Sequence, residues 1–499
     1  MTDPLALLPL AIAAGNGRIT VAGDQAEHEV QQYVAAGLTL LQRSAPLVRA
    51  LAGRRSAILL PTSPSFFTAL AASDGRGAVL VNPLASPIEV AYQCQDAGVG
   101  AVLTVAALAS RVPPGMPVVL LDDAPRAARV ITADRTQEVD LGSHHGLRIE
   151  GQRDVRGRDE EAVVVYTSAM QGRPLGAVLT HANLLANARA TIEAMGCTSD
   201  DDVLAFLPYS HLFGLTVSGV APLLAGGRVR AMARFHPGRA TKLLEDGVTV
   251  VVGVPAVFRA MLADLVGRGV DLRGSALRLC ICGGAELPVE LQDRWAEVTG
   301  VELRQGYGLT EAAPVCLFNR VDRPNVRGTL GVPFPGVDVA IMTPARSVNG
   351  TAADGAVAPL PDGETGEIWV RGDNVSPGYV GGSLDGLQRR GEWLCTGDAG
   401  VRNADGTVRF VGLLKPMFTR NGFNIYPREI ERAVGELAGV RSVEATPIPH
   451  HDRRGDPIVS KEHDIRLRVA GSVTREQVTV WCEQRLSAYK QPSEIEIVD

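Results

Sequence analysis

The stretch of the sequence most suggestive of chemistry runs from Tyr166 to His181 and reads "YTSAMQGRPLGAVLTH". Its pattern predicts a buried strand, a hydroxyl pair formed by Thr167 and Ser168, a glycine- and proline-containing turn, and "LTH" opening a helix. This frame is typical of a loop that grips phosphate groups. Where further small hydroxyls and a lysine would serve that chemistry, the sequence has Ala169, Met170, Gln171 and Leu175.

The seven cysteines are scattered along the chain without a metal-binding pattern. Cys280 and Cys282 alternate with apolar residues in "LRLCICGGAEL", which predicts a buried strand. Their spacing is wrong for a zinc site, and no second pair of cysteines or histidines stands in register with them. We therefore interpret the cysteines as core thiols in a reducing cytoplasm.

Composition and charge exclude several classes of protein. Apolar residues make up 45% of the chain and charged residues 21%, which is ordinary for a globular protein. The net charge of −6 gives no reason to expect binding to nucleic acid or to an anionic membrane. No window approaches about 18 unbroken apolar residues, so no transmembrane helix is expected. The apolar N-terminus lacks a basic region and carries Asp3, so we expect no signal peptide and a cytoplasmic location.

Elements that would position the loop follow an alternating strand–helix pattern. The 499 residues exceed what one hydrophobic core supports, so two or more domains are expected. Apolar spacing predicts a helix over Glu27–Leu51, and short apolar runs such as "SAILLP", "AVVVY" and "VLAFLP" predict strands between helices. This alternation predicts an α/β fold with mostly parallel sheets over residues 1–330.

The composition of the sequence and the length of its apolar runs change after residue 330. Glycines, prolines and short strands predict a small β-barrel-like subdomain over residues 331–414, followed by a small α+β C-terminal domain over 415–499. We therefore predict a large N-terminal domain, residues 1–414, built from two αβ subdomains (1–160 and 161–330) and the β subdomain, with the C-terminal domain after it.

Eight motifs recur in a recognisable order along nearly the whole chain, from about residue 20 to its end. They are "YTSxxxGxPxGAxLTH", "LPYSHLFGL", "CGGAELP", "QGYGLTEAAP", "GVPFPGVDV", "GETGEIWVRG", "WLCTGD" and "NGFNIYPREIE". In this order the chain resembles the adenylate-forming superfamily, which includes acyl-CoA synthetases, luciferases and carrier-protein adenylation domains. Resemblance of fold is by itself only an analogy for function.

The resemblance implies a two-step reaction. ATP, with Mg²⁺, activates a carboxylic acid as an acyl-adenylate and releases pyrophosphate. The acyl group then passes to a thiol of coenzyme A or of a phosphopantetheine on an acyl carrier protein, and AMP leaves. The small C-terminal domain rotates between the two half-reactions.

Nucleotide-binding roles follow from the resemblance, residue by residue. Glu311 stands where the family places its Mg²⁺-linked carboxylate, a ligand type that suits a hard cation, and Thr310 faces the α-phosphate. Asp398 stands where a carboxylate accepts both ribose hydroxyls, since each of its oxygens can take one. Thr167 and Ser168 belong to the phosphate loop, and adenine would lie against Gly283, Gly284, Ala285 and Tyr307.

Acyl-binding roles are implied in the same way. His211 matches a residue near the mouth that receives the carboxylate, and Phe213, Val254 and Gly308 are candidate liners of the acyl pocket. An amino-acid substrate would need an aspartate for its ammonium group, and the segment "LPYSHLFGL" has none. An apolar acyl or aryl acid is therefore expected.

Departures from the family pattern fall on the phosphate chemistry. The loop has Ala169, Met170 and Gln171 in place of glycine and hydroxyl residues, and Leu175 in place of a lysine. Leu413 replaces an arginine, and Pro416 follows the hinge lysine. The family's catalytic lysine would lie beyond the last residue of this sequence, and the lysine of "YKQP" is not its equivalent. Each lost charge-assisted hydrogen bond to phosphate is worth about 1.5–3 kcal/mol.

Three hypotheses follow from this mixture of kept and lost residues. The chain is a working acid–thiol ligase with an unusual phosphate site. Alternatively, it is a degenerate member that has lost ATP chemistry and binds an acyl group, an acyl-thioester or a carrier protein. In the third, it handles acyl groups without ATP, with His211 as an acid or base.

Overall fold

The computed structural model describes residues 7–24, 26–73, 77–122, 124, 126–142, 159–167, 173–343, 358–382, 388–414, 417–420, 423–449 and 463–498. Its mixed α/β architecture agrees with the predicted fold class. Numbered in chain order, the first strands are β1 (Arg18–Val21), β2 (His28–Glu29), β3 (Arg55–Leu59), β4 (Ala78–Leu80), β5 (Val99–Thr104), β6 (Val118–Leu121), β7 (Ala127–Ile131), β8 (Thr136–Asp140), β9 (Glu161–Thr167), β10 (Leu175–Thr180), β11 (Asp202–Ala205), β12 (Arg228–Ala231), β13 (Val250–Gly253) and β14 (Leu279–Cys282).

The remaining strands are β15 (Leu303–Gly308), β16 (Val315–Phe318), β17 (Val332–Pro333), β18 (Val337–Met342), β19 (Thr365–Gly372), β20 (Gly378–Tyr379), β21 (Gln388–Arg390), β22 (Trp393–Arg402), β23 (Val408–Leu413), β24 (Phe418–Arg420), β25 (Phe423–Ile425), β26 (Val440–Pro449), β27 (His463–Gly471) and β28 (Glu494–Val498). The α-helices are α1 (Leu8–Ala14), α2 (Val30–Arg43), α3 (Ala45–Leu51), α4 (Ser65–Ala72), α5 (Pro87–Asp96), α6 (His181–Met195), α7 (Ala221–Leu224), α8 (Pro237–Glu245), α9 (Pro255–Arg268), α10 (Val289–Thr299), α11 (Pro427–Gly435) and α12 (Arg475–Arg485).

The first large sheet has the strand order β20-β10-β9-β4-β3-β5-β6-β7-β8. Strands β9, β4, β3, β5 and β6 run parallel, while β10 folds back antiparallel on β9. The short strand β20 then pairs with β10, with Ala177 opposite Tyr379 and Val178 opposite Gly378. A residue from far along the chain therefore lies beside the strand that leaves the candidate phosphate loop.

The second large sheet has the order β17-β16-β15-β14-β13-β11-β12-β1-β2. Strands β1, β12, β11, β13, β14 and β15 run parallel. Their carboxyl ends share one edge of the sheet, where ligands bind in open α/β sheets. The segments after β13, β14 and β15, which carry Val254, Gly283 and Thr310, therefore meet at this edge.

The two large sheets are not built from two consecutive halves of the chain. The N-terminal β1 and β2 lie in the second sheet, whereas β9 and β10 complete the first. The predicted division at 160/161 does not coincide with this arrangement, and the domain bounds stay a prediction. Farther on, β18, β19, β22 and β21 form a separate sheet with β23 on β22, and β26, β27 and β28 form the sheet of the C-terminal unit.

Local sequence signals explain where several elements begin and end. The prediction of one continuous helix over Glu27–Leu51 is wrong, because the segment forms two helices: α2 ends before Ser44 and α3 begins after it. The Ser44 hydroxyl accepts the N–H of Leu47 at 3.4 Å and caps α3. Helix α6 begins with a capping box between Thr180 and Asn183, where a hydroxyl and an amide satisfy two backbone N–H groups.

Buried cysteines behave as the sequence indicated. Cys280 and Cys282 lie fully buried in β14, and neither is disulfide-bonded. Burial raises the pKa of the Cys280 thiol to about 12, which keeps it protonated at neutral pH. No helix among the described residues is both long enough and apolar enough to cross a bilayer.

A buried ionic cluster docks the C-terminal unit on α5. The Lys490 ammonium lies 2.9 Å from Glu89 Oε1, on α5, and 2.6 Å from Glu429 Oε1, on α11. Ser487 donates to the other Glu89 oxygen, and the Ser86 hydroxyl donates to the Arg485 carbonyl at 3.1 Å. Burial opposes the charge on Lys490, but the two carboxylates outweigh it and hold its pKa well above the ordinary value. The cluster therefore stays ionised.

We expect Lys490→Met to lower the free energy of unfolding by about 3–5 kcal/mol, because it leaves two buried carboxylates without their cation. Urea unfolding followed by fluorescence measures this, and limited proteolysis reports release of the C-terminal unit. The control is Lys242→Met, at an exposed lysine on α8, which should change stability by less than about 0.5 kcal/mol. Equal unfolding midpoints for the two variants would contradict a stabilising role.

The same cluster predicts a dependence on acid. Lys490 and the local donors lower the pKa of Glu89 although burial alone would raise it. A carboxylate whose pKa is lower in the folded state contributes stability above its unfolded pKa, near 4.3, and loses it as pH falls through the folded value. The stability difference between wild type and Lys490→Met should therefore shrink below about pH 4. Unfolding curves between pH 3 and 7 measure it, and a difference independent of pH would argue against this origin.

Candidate active site

Glu311 lies in a short 3₁₀ turn, Thr310–Ala312, that follows β15. Its Oε1 accepts the Tyr379 hydroxyl at 2.8 Å and the Thr167 hydroxyl at 3.4 Å. Tyr379 comes from β20 and Thr167 from the end of β9, so both donors belong to the first large sheet. Glu311 is half-buried, and its Oε2 makes no hydrogen bond to any residue that the structure describes. One carboxylate oxygen is therefore fixed and the other is left for a ligand.

The backbone around Glu311 is held as closely as its side chain. The Glu311 carbonyl accepts the N–H of Ser376 at 2.8 Å, and the Ala312 carbonyl accepts the amide of Asn374 at 2.7 Å. Asn187 of α6 donates to the Val315 carbonyl at 2.9 Å. Since buried carbonyl groups need partners, these amides fix the turn that presents Glu311.

Tyr307 and Asp398 form the second hydrogen-bonded pair of the site. The Tyr307 hydroxyl, on β15, lies 2.6 Å from Asp398 Oδ2, on β22. Desolvation and the Asp398 charge raise the pKa of Tyr307 well above its ordinary value, so the phenol remains the donor. The Asp398 N–H is itself held by the Thr396 hydroxyl at 3.1 Å. Tyr307 lies four residues before Glu311, so its hydrogen bond brings a second carboxylate to the same end of β15.

Glycines allow the backbone to pack closely at this end of the sheet. A Cβ on Gly283 would lie 3.1 Å from the Phe213 ring and 3.3 Å from the Gly306 carbonyl, and one on Gly308 would lie 1.9 Å from the Pro314 carbonyl. Gly284 has φ +75°, which L side chains rarely adopt. Ala285 follows it and is half-buried. The turn expected to face adenine therefore has little side-chain bulk.

The candidate acyl residues lie on neighbouring segments. His211 precedes the π-helix Phe213–Val220, and its Nδ1 accepts the Phe213 N–H at 3.3 Å. The ring is accessible to solvent, yet the surrounding protein desolvates it and lowers its pKa. A neutral His211 therefore carries its proton on Nε2. Phe213 packs against Gly283, and Val254, 9% exposed, precedes α9.

Two of the departing residues are described, and both flank the carboxylates. Leu175 pairs with Thr167 across the hairpin of β9 and β10, and Leu413 pairs with Asp398 across β22 and β23. Leu413 is 36% exposed. A leucine is therefore paired with Thr167, which donates to Glu311, and another with Asp398. The other predicted positions, Ser168, Ala169, Met170, Gln171 and Pro416, lie outside the described residues.

Tyr379 is a site residue that sequence reasoning missed. It is 68 positions from Glu311, and the sequence "SPGYV" around it carries no sign of its partner. The two-residue pairing of β20 with β10 brings it to the site. The other missed groups are the amides of Asn187 and Asn374, whose contacts are likewise non-local.

The residues present suit Mg²⁺ held together with phosphate groups. The described part of the chain has no cluster of three or more His, Cys, Asp or Glu able to hold a metal. Mg²⁺ usually binds through one or two carboxylates plus substrate phosphates rather than in an all-protein cage. Glu311, with one oxygen held and one available, matches that mode of binding.

Comparisons with known proteins agree with this geometry. The profile of the family described as "AMP-binding enzyme" matches residues 44–380. A feruloyl-CoA synthase from Amycolatopsis sp is 32% identical over 469 residues, which cover 90% of this chain and 85% of that protein. A long-chain-fatty-acid–CoA ligase from Escherichia coli O6:H1 is 28% identical over 483 residues, covering 90% and 82%.

Solved structures extend the likeness to the whole fold. A malonyl-CoA ligase, solved as a ternary product complex with methylmalonyl-CoA and AMP bound, superposes with a TM-score of 0.74 at 26% identity. The alignment covers 99% of this chain and 98% of that one, so it includes the C-terminal unit. Family profile, relatives and fold together place this chain in the AMP-binding, adenylate-forming enzyme family, among the acid–thiol ligases.

Proposed function

We propose that the chain activates an apolar acyl or aryl carboxylic acid with ATP and transfers the acyl group to the thiol of coenzyme A. The observation that carries this proposal is the meeting of Glu311 and Asp398 at the end of β15, each held by a tyrosine hydroxyl. One carboxylate suits a metal-bound phosphate and the other suits a ribose. Glu311 follows β15, and Asp398 on β22 reaches the same strand through Tyr307, so the two carboxylates could serve the two ends of one nucleotide.

Each residue would have a definite task in the first half-reaction. A substrate carboxylate oxygen attacks the α-phosphorus, and the bond to pyrophosphate breaks. Mg²⁺, when bound, neutralises the phosphate charge. Glu311 would hold that ion, Thr310 would donate to the α-phosphate, and Asp398 would accept the ribose hydroxyls. Neutral His211 would direct its Nε2–H towards the incoming carboxylate, which orients it without adding a charge.

In the second half-reaction a thiol attacks the acyl carbon, the bond to AMP breaks, and the thiol proton passes to solvent or a base. We favour coenzyme A because the relatives named above are CoA ligases or a CoA synthase. A phosphopantetheine carrier is the alternative acceptor, and a carrier protein would then be a partner of this chain.

The lining residues and the relatives both indicate the class of substrate. Phe213 and Val254 are apolar, and no acidic residue occurs in the segment around His211 that would bind an ammonium group. The named relatives act on ferulate or on long-chain fatty acids, as their names state. Aryl and fatty acids are therefore the first candidates for this chain.

The full chain should form AMP from MgATP only when a suitable acid is present. Asp398→Asn should weaken AMP binding by about 1.5–3 kcal/mol, because it replaces a charged hydrogen-bond acceptor by a neutral one. Chromatographic assay of AMP over a panel of aryl and fatty acids, with calorimetry of AMP binding, measures both. The control is Asp338→Asn, an exposed residue paired with Arg371 in the same part of the chain.

Two results would count against the proposal. If no acid supports AMP formation although acyl-thioesters bind, the result would favour the hypothesis that the chain is a family member that has lost ATP chemistry. If Asp338→Asn weakens AMP binding as much as Asp398→Asn does, Asp398 is not the ribose acceptor. AMP formation followed by transfer only to a carrier protein would replace coenzyme A as the acceptor while keeping the first step.

Leu413→Arg should tighten nucleotide binding about tenfold or more, because it returns a cation beside Asp398 at the strand pairing where the family has one. The measurement is the Kd of AMP and the KM of MgATP at fixed ionic strength. Val480→Arg, at an exposed residue of α12, adds the same charge far along the chain and should leave both unchanged. Equal gains in the two variants would mean a general charge effect rather than a contact.

A further inference from the structure

The hydrogen bond between Tyr379 and Glu311 has no role yet in the proposed reaction. Tyr379 is 6% exposed, and its hydroxyl lies 2.8 Å from Glu311 Oε1. Thr167 donates to the same oxygen at a longer 3.4 Å. Both donors therefore act on one oxygen of the carboxylate, and the rotation of the carboxylate is restricted.

The segment that carries Tyr379 is itself rigidly attached. The Ser376 hydroxyl donates to the Val178 carbonyl of β10 at 2.6 Å and accepts the Gly378 N–H at 3.1 Å. The Ser376 N–H holds the Glu311 carbonyl. The same short segment thus binds the backbone and the side chain of Glu311, and it ties both to the strand that leaves the phosphate loop.

We propose that Tyr379 is a positioning residue for the metal-linked carboxylate: its hydroxyl occupies Oε1 of Glu311 and so directs Oε2 towards Mg²⁺ on the bound nucleotide. Hydrogen bonds to a metal-ligating carboxylate fix its orientation, and their loss typically lowers metal affinity or activity about 10–100-fold. This proposal rests on the proposed function only in taking MgATP as the ligand.

The chemistry of Tyr379 suits this task. A tyrosine hydroxyl is a neutral donor at neutral pH, and here it lies 2.8 Å from Glu311 Oε1. A tyrosine also brings no charge to the carboxylate, whereas a lysine or arginine would compete with the metal for it. With Leu175 beside Thr167 in place of the family's lysine, the metal-bound carboxylate carries a larger share of phosphate binding.

Tyr379→Phe removes only the hydroxyl and tests the proposal. Calorimetry of ATP binding with Mg²⁺ and with EDTA gives the gain in affinity due to the metal, without need of any acid. We expect Tyr379→Phe to reduce that gain about tenfold while binding in EDTA stays within about twofold of wild type. Tyr33→Phe is the matched control, since Tyr33 is also buried but lies on α2 against His28, outside the candidate site.

A double-mutant cycle separates positioning from a general structural effect. In a Glu311→Gln background, adding Tyr379→Phe should have little further effect on the metal-dependent gain, because both changes act on one contact. The proposal is overturned if Tyr379→Phe leaves the gain unchanged, if its effect persists in full without Glu311, or if wild type shows no gain from Mg²⁺. Acid-dependent AMP formation by wild type is scored separately, so failure of the proposed ligase activity remains distinguishable.

Discussion

The need to satisfy the backbone carbonyls of the turn at Glu311 organises the centre of this protein. That turn lies between the two large sheets, with Ala312 fully buried and Thr310 and Glu311 half-buried. Its carbonyls are satisfied by Ser376 and Asn374 from the segment between β19 and β20, and Asn187 of α6 holds the Val315 carbonyl just after the turn. An unpaired buried carbonyl costs about 1–3 kcal/mol, so these contacts fix how the sheets approach each other. The same constraint fixes Glu311, because backbone and carboxylate are held by one segment.

The site that results is built from carboxylates and hydroxyls. The hydrogen-bond donors to the Glu311 side chain among the described residues are two hydroxyls, from Tyr379 and Thr167. Leu175 pairs with Thr167 and Leu413 with Asp398, at positions where the family resemblance implies a lysine and an arginine. A triphosphate brought to such a site needs its charge neutralised by a bound cation rather than by side chains. In the proposed function, Mg²⁺ would therefore supply part of the positive charge that lysine and arginine supply in the family pattern.

Local patterns in the sequence predicted the elements, while the contacts between them needed the fold. Helix α6 and strand β14 follow from apolar spacing and caps, and the motif order gave the family. The break at Ser44 was missed because a cap and a proline override continuous apolar spacing. Tyr379 was missed because its role depends on a two-residue strand pairing. Lys490 was assigned to its motif, but its partner Glu89 lies 401 positions away.

Helix α5 contacts both the candidate phosphate loop and the C-terminal unit. Tyr92 donates from α5 to the Pro174 carbonyl at 2.8 Å, and Asp96 at its end accepts the Tyr166 hydroxyl. At its start, Glu89 binds Lys490. Breaking a buried ion pair costs free energy when one charge stays buried without its partner. Each charge regains its hydration, however, if the two units separate fully. An ionic contact would therefore suit the domain rotation that the family resemblance implies, and it lies on the helix that also contacts the strand ends of the loop.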